Sequence, residues 1–300
     1  MKGAIIDLGT NTFNLLIFER KSGKNVILHT DRIPAAIGLG GINDNLIAPE
    51  AFARGVETIA TYKQVCLDYG VQKIKAFGTS AMRGAMNAKT FCSTILNQTG
   101  IKIEIIQGER EAELIYTGVK NVHTFNSKTC IIDIGGGSTE FIVADQNQVY
   151  DMGSFDIGIS RIQQGFDLSD PISQDDFTVL DNYLESRTKG FLKPGVCEAL
   201  VGASGSFDTF YELIYGEDYS NYYASAALPF DKLMDVLNLL ITSSQKEREE
   251  NIHITDLRKK MIHISAYKAK WVIEKLQVKE VYISPASLKE GVMVEMVEGE

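Results

Sequence analysis

Ile5-Ile6-Asp7-Leu8-Gly9-Thr10-Asn11-Thr12-Phe13 returns later in the chain as Ile131-Ile132-Asp133-Ile134-Gly135-Gly136-Gly137-Ser138-Thr139. Each copy is a short apolar run, a strand-end aspartate, a glycine, and then hydroxyl residues. The alternation after the first turn (Phe13, Leu15 and Ile17) and the apolar run after the second (Phe141 to Ala144) each read as a returning strand. Both copies are therefore strand–turn–strand units, and a duplicated lobe is the simplest account. Outward from them the pattern alternates. The spacing predicts helices from Pro49 to Gly70, near Asn87 to Gln98, from about Gly108, after Ser173, over Asp231–Ile241 and over Asp256–Leu276. Strands are predicted at 71–77, 101–105, 200–201 and 281–283, with a short helix after Ser284-Pro285. Strands interleaved with helices give the α/β class, in two lobes facing each other across a cleft.

The chemistry of the two turns is that of phosphate binding. Glycine lets backbone N–H groups approach an anion closely, and concave turns of this kind hold phosphates. Gly9, Thr10, Asn11 and Thr12 in the first turn, and Gly135, Gly136, Gly137 and Ser138 in the second, are the expected phosphate-binding residues. Asp7 and Asp133 stand where a carboxylate can hold Mg²⁺ or another divalent cation against phosphate oxygens. A dinucleotide loop is excluded: the spacing is not G-x-G-x-x-G and a strand, not a helix, follows. G-x-x-x-x-G-K-[ST] is absent too.

Composition sets further bounds. Three hundred residues, 44% hydrophobic and 23% charged, suffice for two domains with ordinary cores. The net charge of −9 argues against a nucleic-acid polymer as partner. No apolar run reaches membrane-spanning length, and Asp7 and Asn11 break the N-terminal stretch, so no membrane association and a cytoplasmic location are expected. Cys66, Cys92, Cys130 and Cys197 are scattered in apolar surroundings and read as free thiols.

The chain resembles the exopolyphosphatase and guanosine pentaphosphate phosphohydrolase family, within the actin-like (ribonuclease H-like) superfamily. The resemblance rests on Asp7-Leu8-Gly9-Thr10-Asn11-Thr12-Phe13 for D-x-G-S-N-S-F, and Gly78-Thr79-Ser80-Ala81-Met82-Arg83 for T-S-A-x-R. It continues through Gly108-Glu109-Arg110-Glu111-Ala112 for G-x-E-E-A, Asp133 to Glu140, and Leu288-Lys289-Glu290-Gly291 for L-R-E-G. It implies two actin-like lobes: residues 1–122 with a C-terminal helix over 286–300, and residues 123–285. It also implies Glu111 as the catalytic glutamate, Glu140 as the acid assisting metal and water, Asp133 with the magnesium, and Arg83 reaching substrate phosphates. Gly205 and Ser206, in Gly202-Ala203-Ser204-Gly205-Ser206, stand for the family's G-T-A-G-T loop.

The implied activity is Mg²⁺-dependent hydrolysis of a phosphoanhydride, in polyphosphate or a guanosine penta- or tetraphosphate, with a homodimer as a compatible assembly. A non-catalytic sensor of the same ligands is the alternative, and an ATP-using kinase ranks third. Several positions depart from the family pattern: Asn14 and Ala36 stand where it carries cations, Arg110 replaces an acid, Lys289 replaces an arginine, and Lys259-Lys260-Met261-Ile262 lacks an arginine–aspartate pairing. The sequence ends at Glu300, short of the helical domain of longer members, so a preference for small substrates or distributive action is expected.

Overall fold

In the computed structural model, which describes residues 1–219 and 223–298, the chain begins with β1 (Lys2–Leu8), β2 (Phe13–Lys21) and β3 (Lys24–Ile33). Then follow α1 (Pro49–Asp68), β4 (Lys73–Gly78), α2 (Ser80–Gly84), α3 (Ala88–Thr99), β5 (Ile103–Ile105) and α4 (Gly108–Lys120). The second half runs β6 (Thr129–Ile134), β7 (Thr139–Ala144), β8 (Val149–Phe155), α5 (Ile159–Gly165), α6 (Gln174–Thr188), β9 (Ala199–Gly202) and α7 (Gly205–Tyr215). It closes with β10 (Ala226–Leu228), α8 (Phe230–Thr242), α9 (Gln245–Glu250), α10 (Asp256–Lys259), α11 (Ile262–Leu276), β11 (Glu280–Ile283) and α12 (Leu288–Glu298).

The duplication is visible strand for strand. The first sheet has the order β3-β2-β1-β4-β5, and the second contains β8-β7-β6-β9-β11 with β10 added at its edge. In both, the three strands of the meander are antiparallel and the next two pair in parallel. The structure is α/β with two actin-like lobes.

Successive strand residues face opposite sides, which explains the paired isoleucines of the opening motif. Ile6 and Ile132 turn into their own lobes' cores, with Tyr62 and Phe91 in the first and Phe207 and Trp271 in the second. Ile5 and Ile131 turn the other way, into a third buried cluster shared by both sheets. That cluster is filled from α4 and α12 by Ile115, Leu288, Val292 and Met293. The two helices approach backbone to backbone at Gly118 and Gly291: a Cβ on Gly291 would overlap the Leu114 carbonyl, and one on Gly118 the Ser287 carbonyl.

Several boundaries differ from the sequence reading. The helix expected over Asp256–Leu276 is two helices, α10 and α11, broken around Lys260 and Met261. Met261 carries the N-cap geometry of α11 (φ −131°) and projects towards the cleft. Thr79 takes the N-cap position and Ser80 opens α2, and Gly205-Ser206, read as part of a loop, open α7. Strands β3 and β8 went unpredicted, because both are edge strands with mixed, half-exposed side chains. The last two residues of the expected C-terminal helix, 299–300, lie outside the described residues. No helix among the described residues is long and apolar enough to cross a membrane. All four cysteines are free, with Cys66, Cys130 and Cys197 buried.

Candidate active site

A cleft of about 210 Å³ lies between the lobes, and both matched turns line it. The register makes the match atomic. Asp7 pairs across its hairpin with Asn14, and Asp133 pairs with Glu140. Asn14 therefore holds in the first lobe the position that Glu140 holds in the second. Asn14 Nδ2 donates to Asp7 Oδ2 at 3.0 Å, and the Ser287 hydroxyl donates to Asp133 Oδ2 at 2.5 Å. The first glycine of each turn is required for room: a Cβ would stand 2.8 Å from the Thr12 carbonyl at Gly9 and 3.0 Å from the Ser138 carbonyl at Gly135.

Gly136 and Gly137 have a further reason to be glycine. A Cβ on Gly136 would meet the Asn11 side chain at 2.8 Å, and one on Gly137 the Thr10 and Ser80 hydroxyls at 2.6 Å. The two turns thus touch each other. Behind the second turn, the N–H groups of Ile159 and Ser160 donate to the Gly135 and Gly136 carbonyls at 3.0 and 2.8 Å. The Ser160 hydroxyl crosses to Asn11 Oδ1 at 2.6 Å. Arg161 binds the Gly137 carbonyl in its own lobe and the Ile42 carbonyl in the other.

The carboxylates converge on this junction. Glu111, in the first turn of α4, is 8% exposed, and Glu140, on β7, is 1% exposed. Arg83, from α2, binds the Glu111 carboxylate and stands 4.0 Å from Glu140. Glu140 Oε1 accepts from the Ser138 and Ser154 hydroxyls, each at 2.6 Å. Burial first, and the Glu140 charge second, push the Glu111 carboxyl well above the usual range, with Arg83 opposing. Burial also raises Glu140, against its two serine donors and Arg83. Asp7 is pushed up to about 6 and Asp133 to about 7, again chiefly by burial.

Every residue nominated from the sequence as catalytic, metal-binding or phosphate-binding lines the cleft except Arg83. Arg83 sits behind Glu111 and Glu140, its guanidinium spent on those acids, Ser138, Ser154 and the Ile106 carbonyl. The sequence reading missed Arg32, Arg258 and Ser265, which line the cleft, and Lys268, whose buried ammonium binds Thr139 and Ile157 beside Glu140. Strand pairing is the one signal that could have found Arg32, since it faces Asn14 across β2 and β3. Ala36 does not line the cleft; its N–H supports the Asn11 carbonyl at 2.8 Å from behind the first turn.

Among the described residues, four buried oxygens bordering the cleft lack hydrogen-bond partners: Asp7 Oδ1, Ser80 Oγ, Ser204 Oγ and Ser265 Oγ. Unsatisfied buried polar atoms are rare in folded proteins, and their concentration here marks a site built for a polar ligand. Among the described residues no three His, Cys, Asp or Glu side chains form a ready-made metal cage. Mg²⁺, however, commonly takes one or two carboxylates with waters and substrate phosphates. Asp7, with a free buried oxygen and a neighbourhood of ionisable acids, meets that requirement.

Comparison with known proteins agrees with this geometry. The model of the Ppx/GppA phosphatase family matches residues 16–300. The chain belongs to the Ppx/GppA phosphatase family. It is 26% identical over 301 residues to a guanosine-5'-triphosphate,3'-diphosphate pyrophosphatase of Photobacterium profundum, covering 98% of this chain and 59% of that protein. The chain thus spans about three fifths of that curated relative. Among solved structures, an exopolyphosphatase from Cytophaga hutchinsonii matches with a TM-score of 0.94 and 29% identity, over 100% of this chain and 98% of that one. A Ppx/GppA member from Aquifex aeolicus matches in fold, with a TM-score of 0.83 at 24% identity over 100% and 98%.

Proposed function

We propose that this protein is a divalent-cation-dependent phosphoanhydride hydrolase that releases the terminal phosphate of inorganic polyphosphate or a guanosine pentaphosphate-type nucleotide. The observation that carries the reading is the Glu111–Arg83–Glu140 cluster at the contact between two phosphate-type turns.

Phosphoryl transfer to water needs an aligned nucleophile, a proton acceptor and charge stabilisation. Glu111 is the proton acceptor in this reading: burial and the Glu140 charge raise its proton affinity above that of an ordinary carboxylate, which makes it a stronger base. Arg83 fixes its orientation. Glu140, pinned by two serine hydroxyls, presents a fixed acceptor for orienting the water. The two turns cradle the terminal phosphate between the lobes, and their contact excludes bulk water from the reacting bond. Asp7 and Asp133 would hold Mg²⁺ or a related cation, which supplies positive charge to the phosphate oxygens.

The test is phosphate release from polyphosphates of several lengths, from the guanosine pentaphosphate and from ATP, with and without Mg²⁺. Release that requires the metal supports the reading. Tight binding without turnover over hours would make the protein a sensor instead, and transfer of phosphate from ATP to an added acceptor would make it a kinase.

A further inference from the structure

Two arginines missed by the sequence reading face the cleft from opposite lobes. Arg32 comes from β3 of the first lobe and Arg258 from α10 of the second. Both reach one carboxylate, Asp208 in the first turn of α7: Arg258 Nη2 at 3.2 Å and Arg32 Nη1 at 3.9 Å. Arg258 is further held by the Thr209 hydroxyl at 2.7 Å. Arg32 Nε donates to Asn14 Oδ1 at 3.2 Å, and Asn14 in turn donates to Asp7. Both guanidinium groups close over the Cα of Gly205, where a Cβ would overlap Arg258 and stand 3.3 Å from Arg32.

An exposed ion pair at the limit of contact contributes little by itself, so the Arg32–Asp208 pairing does not account for this arrangement. Asp208 pairs with both arginines and Glu212 lies near Arg258, so what the two guanidinium groups offer the cleft they border is N–H donors in a fork rather than a large net charge. Ser204 takes the N-cap position of α7 without capping it; its hydroxyl is buried and unpartnered, as is that of Ser265, which is 1% exposed. A helix N-terminus, two arginines and two idle hydroxyls on one cleft are complementary to an anion.

We propose that Arg32 and Arg258 form an interlobe clamp for a second phosphate group, away from the terminal one held by the turns. The clamp rests on the hydrolase reading only in naming the ligand as a chain of linked phosphates. Asn14 leaves the first lobe's hairpin without a cation, and Arg32 supplies one from the neighbouring strand, directly across the ladder from Asn14. A phosphate bridging the two guanidinium groups would tie the lobes together, so the clamp favours substrates with linked phosphates over orthophosphate.

The experiment compares Arg32→Gln and Arg32→Lys on a Glu111→Gln background, so that ligand is not consumed. Titration calorimetry with Mg²⁺ measures binding of tripolyphosphate and of orthophosphate. Loss of one charge-assisted contact predicts that Arg32→Gln weakens tripolyphosphate by roughly tenfold or more. Orthophosphate should change by less than about twofold, and Arg32→Lys should recover part of the loss, because lysine keeps the charge but not the fork. Unchanged tripolyphosphate affinity overturns the clamp. So does an equal loss for both ligands, which would put Arg32 at the terminal site, or a parent that does not bind tripolyphosphate. Should the expected pattern appear while the protein with Glu111 intact releases no phosphate, the clamp stands and the hydrolase reading falls.

Discussion

Replacing Asp133 by asparagine should make the metal-free protein more stable at pH 8, although it removes a residue of the candidate site. Burial lifts the Asp133 carboxyl from 3.8 to about 7, and the Glu140 charge adds to the effect. In the unfolded chain this group ionises near its ordinary value. Between about pH 4 and 7 the folded state therefore binds more protons than the unfolded state, and stability falls as pH rises through that window. At ~1.4 kcal/mol per pH unit, a span of about three units makes the buried charge cost roughly 4 kcal/mol at pH 8. Part of that is shared with Glu140 and Asp7, so a gain of about 2–4 kcal/mol is expected for Asp133→Asn. Asparagine keeps an oxygen to accept from Ser287. Urea unfolding in EDTA at pH 4 and pH 8 measures it: near-equal stability at the lower pH and the full gain at the higher. Mg²⁺ should then raise the stability of the parent at pH 8 more than that of the variant. An Asp133→Asn protein no more stable than its parent at pH 8 would refute the claim that this carboxylate is strained by burial.

Gly137→Ala should wedge the two turns apart, since its methyl meets Thr10 and Ser80 at 2.6 Å. Phosphate release should fall by on the order of a hundredfold while the protein loses only about 1–3 kcal/mol, typical of local overpacking. Gly291→Ala, at the contact of α12 with α4 rather than in the turns, should chiefly cost stability. Its methyl overlaps the Leu114 carbonyl where α12 crosses α4, so thermal unfolding should show a loss of about 3 kcal/mol or more.

The matched motifs made the architecture readable because each carries both signals at once. Adjacent isoleucines feed two buried faces of a central strand, and the glycine that follows marks the turn. Edge strands carry neither signal: Lys24–Ile33 and Val149–Phe155 mix charged and apolar residues because one face meets solvent. The acids of the site were readable for a similar reason, as Asp7, Asp133 and Glu140 sit within or beside the turns. Arg32, Arg258 and Lys268 were not, because the first comes from an edge strand and the others from helices far along the chain. Only the closure of the two lobes brings the two arginines together at Asp208. Gly136 and Gly137 were nominated as phosphate cradles, and the fold adds a demand that sequence could not reveal, the direct contact with Asn11 and Thr10.

The most direct measurement is phosphate release from polyphosphate with Mg²⁺ by the parent protein and by Glu111→Gln. Removal of the proton acceptor should lower kcat by about 10²–10⁴-fold while leaving binding of tripolyphosphate within a few-fold. Glu111→Gln turnover equal to that of the parent would contradict the account.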